Sequence, residues 1–179
     1  MTMIVIPTYN ERENCEKMIP LLFSVMPKAR VIVVDDQSTD GTRTVVQEQI
    51  RQFPRLTLIT RKGKRNFAAS YRAGFERALT DGAQIIIQMD ADLSHAPQDV
   101  PRLCAALTNA DVAIGSRYCR GGTTEGWPWI RRWISKTGNW YAARKLSLPI
   151  RDITAGFVAW RAPLLQTVLE EQQTTNGYA

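Results

Sequence analysis

The chain has 179 residues and a mass of 20.2 kDa, which is the size of one domain with its own hydrophobic core. Its residues are 44% hydrophobic and 22% charged, and no apolar run approaches the roughly 18 residues of a membrane span, so disordered, fibrous and bilayer-spanning classes are excluded. The formal net charge is +6. The chain has three cysteines without a CxxC pair, which excludes a disulfide scaffold, and a single histidine, which excludes a zinc site built from histidines.

Short apolar runs rich in valine and isoleucine alternate with stretches of helical periodicity from the start of the chain. Such continuous runs are typical of parallel strands that are covered on both faces. The predicted strands are residues 3–6, 31–34, 56–59, 85–89 and 112–114. The predicted helices fall between them, around residues 18–25, 45–53, 69–79 and 100–107. This order predicts an α/β fold with a doubly wound, mostly parallel sheet and right-handed crossovers.

The alternation stops after residue 114, and one basic, aromatic helix is predicted over residues 127–146, with another over 164–171. Residues 117–145 carry seven basic side chains and one acidic side chain, so the net charge of this segment equals the net charge of the whole chain. An anionic partner is therefore expected here: a phosphate, a nucleic acid or an anionic membrane surface.

Four of the five tryptophans, at positions 127, 129, 133 and 140, lie in the predicted basic helix. Three interpretations fit them: packing on the sheet, stacking of nucleic-acid bases, or insertion at a membrane interface. The large apolar residues cover too wide an arc of the helix for one narrow core stripe. This wide arc favours insertion at a membrane interface over packing on the sheet, and both over stacking of nucleic-acid bases.

Acidic residues follow the predicted strands at the edge where ligands of parallel sheets bind. The turns read PTYNE after the first strand, DDQSTDGT after the second and DADLSH after the fourth. Asp90 and Asp92 share a side of the extended chain, so both can face one metal ion, and oxygen ligands favour Mg²⁺ or Mn²⁺. The alternative is that each acid caps the helix after it, as is expected of Asp40.

Several segments together resemble family 2 glycosyltransferases, and within them the branch that makes polyprenol (dolichol) phosphate mannose. These are IVIPTYNERENC, VIVVDDQSTDGT, QMDADLSHAP, IGSRYCRGGTTEGWPWIRRWIS and RDITAGF, which span residues 4–157. The resemblance implies a GT-A fold, a Rossmann-like three-layer sandwich. It implies a single catalytic domain over residues 1–179, truncated at its C-terminal end because relatives continue.

The resemblance also implies roles for single residues on the donor side. Nucleotide-sugar binding is implied for Pro7, Tyr9, Glu11, Val34, Asp36, Asp90, Ala91 and Asp92. Tyr9 would offer a flat face to the base, and Asp36 would accept hydrogen bonds from guanine or ribose. Asp90 and Asp92 match the metal motif, with Asp92 the first choice for direct ligation. Ser94 stands where some relatives carry a glutamine ligand, and its weaker hydroxyl leaves the third metal contact open.

On the acceptor side, Arg117 matches an active-site arginine that contacts phosphate, although a surface ion pair is the alternative without the resemblance. Arg131 and Ser135 lie four residues apart and share a helical face; they match positions near the acceptor phosphate or the sugar. Asp152 matches a motif near the acceptor, or it caps a turn. With Asp92, the residues Arg117, Arg131 and Ser135 form the implied catalytic set.

The implied reaction is metal-dependent transfer of mannose from GDP-mannose to a polyprenol monophosphate, with inversion at the sugar carbon. A lipid monophosphate is already anionic near neutral pH, so it needs no general base. The alternatives are a related enzyme that uses UDP-glucose or another nucleotide sugar, and a non-catalytic fragment that binds nucleotide sugars or anionic lipids. The expected location is the cytoplasm, at the cytoplasmic face of a membrane, without nucleic acid and with a membrane-anchoring partner protein as an option.

Overall fold

A computed structural model describes residues 1–119, 128–148 and 150–174, apart from the side chains of Arg131, Arg132, Gln173 and Thr174. The strands are β1 (Thr2–Thr8), β2 (Arg30–Asp35), β3 (Leu56–Thr60), β4 (Ile85–Gln88), β5 (Val112–Ile114) and β6 (Val158–Arg161). The helices are α1 (Arg12–Val25), α2 (Thr42–Ile50), α3 (Phe67–Thr80), α4 (Val100–Ala106), α5 (Trp129–Lys145) and α6 (Ala162–Thr174). Every predicted strand and helix that falls on these residues is present.

The strands form one sheet in the order β3-β2-β1-β4-β6-β5. β1 pairs in parallel with β2 and β4, and β2 pairs in parallel with β3. The mostly parallel α/β sheet is therefore confirmed, but β6 was not predicted and runs antiparallel to both β4 and β5. Its apolar run, residues 157–160, begins at the last residue of the RDITAGF segment, which we interpreted only as a motif. It runs antiparallel because the segment that contains α5 returns the chain to the same end of the sheet at which β5 ends, so that Val158 pairs with Ile114.

Alternate residues of the strands pack against two layers of helices, one on each face of the sheet. On one face, Ile4 and Ile6 belong to a core that includes residues of α1, α2 and α4. On the other face, Met3 and Val5 belong to a core that includes residues of α3 and α6. This is the three-layer sandwich expected of a GT-A fold.

Gly74 sets the distance between α3 and the sheet. A Cβ atom at this position would lie 3.0 Å from Val34 Cγ2 and closer still to Val5 Cγ1. The missing side chain lets α3 lie directly on β1 and β2. The first turns of α3 are thereby held beside the carboxyl ends of these strands, where the acidic turns lie.

Candidate functional site

The turns that follow β1, β2 and β4 meet at one edge of the sheet. Each contains a residue other than glycine with a left-handed backbone: Asn10 (φ 58°), Gln37 (φ 68°) and Leu93 (φ 60°). Such conformations cost on the order of 1–3 kcal/mol each and persist where surrounding contacts hold them. Asn10 is held by its backbone N–H, which donates to Ser38 Oγ (2.9 Å), and by its Oδ1, which accepts from Thr39 N–H (2.9 Å).

A cavity of about 440 Å³ lies between these turns and the start of α3. Its lining includes seven of the predicted nucleotide-sugar residues, Pro7, Tyr9, Glu11, Asp36, Asp90, Ala91 and Asp92. Val34 does not border the cavity, because its side chain is fully buried beneath α3. The cavity is also lined by Arg65 of the basic loop after β3, and by four residues that we did not predict as site residues, namely Thr8, Asn66, Phe67 and Ser70.

Asp36 anchors the basic segment after β3, residues 61–66, to the side of the cavity. Its Oδ1 accepts a hydrogen bond from Arg61 Nη1 (2.7 Å), and its Oδ2 accepts one from Asn66 N–H (2.8 Å). Sequence reasoning missed Arg61, although a cation directly after a strand beside an acidic strand end is a signal for this pair. A contact between Asp36 and guanine or ribose stays a prediction.

Arg65 covers the ring of Tyr9 at the mouth of the cavity. Its guanidinium carbon lies 4.0 Å from the ring centroid. The flat face that we predict for the base is thus in contact with a cation in this structure. A planar ligand on that face must displace the guanidinium.

Asp90 and Asp92 lie at the same cavity but in different surroundings. Asp90 Oδ1 accepts a hydrogen bond from Tyr71 Oη (2.6 Å), and its backbone N–H donates to His95 Nδ1 (3.3 Å). Asp92 is exposed, and its Oδ1 accepts from Ser94 N–H (3.0 Å). One carboxylate is therefore held by its neighbours, whereas the other faces solvent.

Two titratable side chains near Asp90, Tyr71 and His95, have shifted pKa values. Burial, together with the negative charge of Asp90, raises the pKa of Tyr71, so its hydroxyl stays a donor. Burial lowers the pKa of His95 and outweighs the opposing charges of Asp90 and Asp92. A neutral imidazole matches the Nδ1 atom that accepts the Asp90 N–H.

The donor atoms of Asp90, Asp92 and Ser94 are hard oxygen atoms, which fit Mg²⁺ or Mn²⁺. Across the described ranges of the chain, no group of three or more His, Cys, Asp or Glu side chains is arranged to hold a metal ion. Two carboxylates agree with the usual magnesium site, in which substrate phosphates and water complete the shell.

Arg117 and Asp152, which lie in the chain between β5 and β6, form an ion pair. Arg117 Nη2 donates to Asp152 Oδ1 (2.6 Å), and Arg117 Nε donates to Asp152 Oδ2 (2.8 Å). Burial acts to raise the pKa of Asp152, but the hydrogen bonds from Arg117 outweigh it and hold the pKa below its usual value. The charge of Arg117 also acts to lower the pKa of His95. Arg117 lines a second cavity of about 280 Å³ together with Ser94 and His95.

Ser135 is joined to this ion pair through neighbouring contacts. Its Oγ accepts a hydrogen bond from Tyr118 Oη (2.6 Å), and its carbonyl accepts one from Asn139 Nδ2 (2.9 Å). Asn139 Oδ1 in turn accepts from the backbone N–H of Ile153, the residue after Asp152 (2.7 Å). Sequence reasoning missed Tyr118 and Asn139 as partners. Arg131 precedes Ser135 by one turn of α5, and its side chain lies outside the described residues.

The outward face of α5 is apolar. Its large side chains are between 52% and 75% exposed, and we call them the aromatic face: Trp129, Ile130, Trp133, Ile134, Trp140 and Tyr141. Asn139, on the opposite side of the helix, is buried. Packing of the aromatic face on the sheet is therefore wrong as an interpretation, and Trp127 lies outside the described residues. None of the helices that the structure describes is both long and apolar enough to cross a bilayer.

Comparison with known proteins adds a family and two close relatives. Residues 3–169 match the family model described as Glycosyl transferase family 2. The chain is 41% identical to the polyprenol monophosphomannose synthase of Mycolicibacterium smegmatis, over 99% of this chain and 68% of that protein. It is 38% identical to the undecaprenyl-phosphate mannosyltransferase of Micrococcus luteus, over 97% of this chain and 72% of that protein.

A solved structure shows the same fold at lower sequence identity. It is a mannosyltransferase from Pyrobaculum calidifontis in complex with GDP-Man and Mn²⁺, with a TM-score of 0.63 and 21% identity. The match covers 93% of this chain and 46% of that one, so this chain spans less than half of that protein. The likeness supports the three-layer fold described above.

Proposed function

The chain belongs to glycosyltransferase family 2, and we propose that it transfers mannose from GDP-mannose to a polyprenol monophosphate. One observation carries this proposal: Asp90 and Asp92 border a cavity of about 440 Å³, and Arg117 lines a second cavity together with Ser94 and His95, which follow Asp92 in the same turn. Its volume falls within the range of small-ligand sites. The names of the two relatives support the mannosyl donor and the lipid phosphate acceptor.

The donor would occupy the cavity with its base near Tyr9 and its diphosphate near Asp90 and Asp92. We propose the seven predicted residues that border the cavity as the donor-binding residues: Pro7, Tyr9, Glu11, Asp36, Asp90, Ala91 and Asp92. A divalent cation, Mg²⁺ or Mn²⁺, held by Asp90 and Asp92 and with Ser94 nearby, would offset the charge that grows on the departing diphosphate. The Mn²⁺ in the structural neighbour supports this choice.

The acceptor phosphate would approach from the side of Arg117. Because a monophosphate oxygen is already anionic near neutral pH, it can attack the sugar carbon directly, and the sugar carbon inverts. Asp152 would hold the guanidinium of Arg117 in place for a phosphate, and Ser135 and Arg131 would complete the acceptor side. Bidentate guanidinium contacts suit phosphate oxygens well.

The aromatic face of α5 would contact an anionic lipid bilayer. Exposed tryptophans beside basic side chains are typical of segments that lie at headgroup depth. Lys136, Arg144 and Lys145 are exposed on the same helix and supply the charge that an anionic surface attracts. Peripheral contact at the cytoplasmic face would bring the acceptor site to the layer where a polyprenol phosphate lies. A membrane-anchoring partner protein remains an optional addition to this proposal.

The six strands of the described residues form one sheet. We propose that residues 1–179 are a single catalytic domain. The decisive test is transfer of radiolabelled mannose from GDP-mannose to polyprenol phosphate in detergent, with and without Mn²⁺. Metal-dependent formation of a labelled lipid is the expected result. Formation of labelled lipid from UDP-glucose but not from GDP-mannose would show that the donor is UDP-glucose. Nucleotide binding without any transfer would show that the chain is a binding fragment.

A further inference from the structure

We propose that Tyr71 is a positioning residue that fixes the carboxylate of Asp90 at the donor site. The inference rests on the proposed function, because it concerns how a metal and a nucleotide diphosphate are received there. Tyr71 does not line the donor cavity, and no motif in the sequence assigned it a role.

The hydroxyl of Tyr71 has a fixed position. Its ring is buried on the sheet side of α3, stacked on Phe75 with centroids 5.5 Å apart and in edge contact with Phe67 at 5.0 Å. Gly74 lets this part of α3 lie close to the strands. The hydroxyl therefore meets Asp90 Oδ1 at 2.6 Å without any movement of the helix.

The other oxygen of Asp90 is bounded by Gly156 in the loop before β6. A Cβ atom at position 156 would lie 2.5 Å from Asp90 Oδ2 and 3.3 Å from His95 Cε1. His95 accepts the Asp90 N–H and stacks on Phe157, with ring centroids 5.1 Å apart and an interplanar angle of 13°. Asp90 is thus held from α3 on one side and from this loop on the other.

A carboxylate that is already oriented loses little conformational freedom when a cation arrives. Asp92 is exposed and carries only a turn contact with Ser94 among the hydrogen bonds of the described residues, so it is free to adapt. The pair combines one preset ligand and one adaptable ligand. The hydroxyl of Tyr71 is the group that makes Asp90 the preset one.

The test is Tyr71→Phe, which removes one oxygen atom and keeps the ring. GDP is titrated by calorimetry with and without Mn²⁺, and the gain in affinity that Mn²⁺ gives is compared with wild type. We expect this gain to fall by about 10-fold or more. Loss of a hydrogen bond to a charged group, or of a residue that holds a metal ligand in place, typically lowers affinity by that factor. The affinity for GDP without metal is expected to stay the same.

Tyr141→Phe is the matched control, because that phenol is exposed on α5 away from the donor cavity. A second variant, Gly156→Ala, pushes on Asp90 Oδ2 and is expected to reduce the Mn²⁺ gain in the same way. Gly138→Ala is its control, because a Cβ atom there meets nothing within 4 Å.

The two proposals fail in different ways. A wild-type protein that binds GDP no better with Mn²⁺ would overturn the proposed function. A wild-type gain that persists in both Tyr71→Phe and Gly156→Ala would overturn only the role of Tyr71. A lower melting temperature with an unchanged gain would show a purely structural role and would also overturn it.

Discussion

The fully buried carboxylate of Asp152 accepts three hydrogen bonds from one residue, Arg117: two from its guanidinium and one from its backbone N–H (3.0 Å). Arg117 follows β5 and Asp152 precedes β6, so the pair joins two loops at the same end of the sheet. The direction of the guanidinium is thereby set before any phosphate arrives. Removal of the acid should therefore affect both stability and the acceptor side.

Asp152→Asn should lower the free energy of unfolding by about 1–3 kcal/mol at pH 7, because an amide N–H would then face the guanidinium donors inside the protein. Urea unfolding followed by circular dichroism measures the change. Asp111→Asn is the control, since Asp111 is largely exposed and lies 3.7 Å from Arg161. That change should stay below about 1 kcal/mol. Equal losses in both variants would contradict a special role for the buried pair.

The same pair should make stability depend on pH in the acid range. The folded pKa of Asp152 lies below the ordinary value of 3.8, so its contribution is complete above that value and is lost as the pH falls through the folded pKa. The stability difference between wild type and Asp152→Asn should therefore shrink when urea unfolding is repeated between about pH 6 and pH 3. A difference that stays constant over this range would show that the charge of Asp152 contributes nothing.

The edge of the sheet that holds the acidic turns was predictable because parallel strands place their carboxyl ends together. Asp36, Asp90 and Asp92 follow apolar runs directly, so their meeting at one cavity needed only the strand order. β6 was not predictable in this way, since its short apolar run carries no mark of its direction. The antiparallel pairing depends on the path of α5, which the local sequence does not specify.

The partners of the acidic residues were beyond sequence reasoning for a physical reason. Tyr71 meets Asp90 only because α3 lies close to the sheet at Gly74, and Arg61 meets Asp36 across two neighbouring strands. The contact of Arg65 with Tyr9 likewise joins segments that are far apart in the chain. Such contacts depend on tertiary distances, which residue spacing does not contain.

Gly74→Ala should destabilise the protein by about 1–3 kcal/mol, because the added methyl group would overlap Val5 and press on Val34. Gly138→Ala on α5 meets open space and should stabilise the helix by about 0.5–1 kcal/mol. Thermal unfolding of both variants beside wild type measures the two effects. Shifts of the same sign would contradict the close packing of α3.

Asp92→Ala should reduce mannosyl transfer by at least about 100-fold, which is the usual loss when a group that stabilises a leaving charge is removed. The fold should remain intact, because Asp92 is exposed and its recorded hydrogen bond is the turn contact with Ser94 N–H. Initial rates of label transfer and the melting temperature are measured together. Glu48→Ala on α2 is the control, since this exposed carboxylate borders neither cavity. Wild-type rates in Asp92→Ala would remove the metal argument.

The aromatic face of α5 should bind vesicles that contain phosphatidylglycerol more tightly than vesicles of phosphatidylcholine alone. Replacement of Trp133 and Trp140 by serine removes two large exposed rings, and co-sedimentation should then show binding weaker by about 10-fold or more. Binding should also weaken as salt rises, because ions screen the attraction between Lys136 or Lys145 and the lipid headgroups. Leu21→Ser, an exposed apolar residue on α1, is the control and should bind as wild type does. If the tryptophan variant sediments with vesicles as well as the control does, another surface carries the contact.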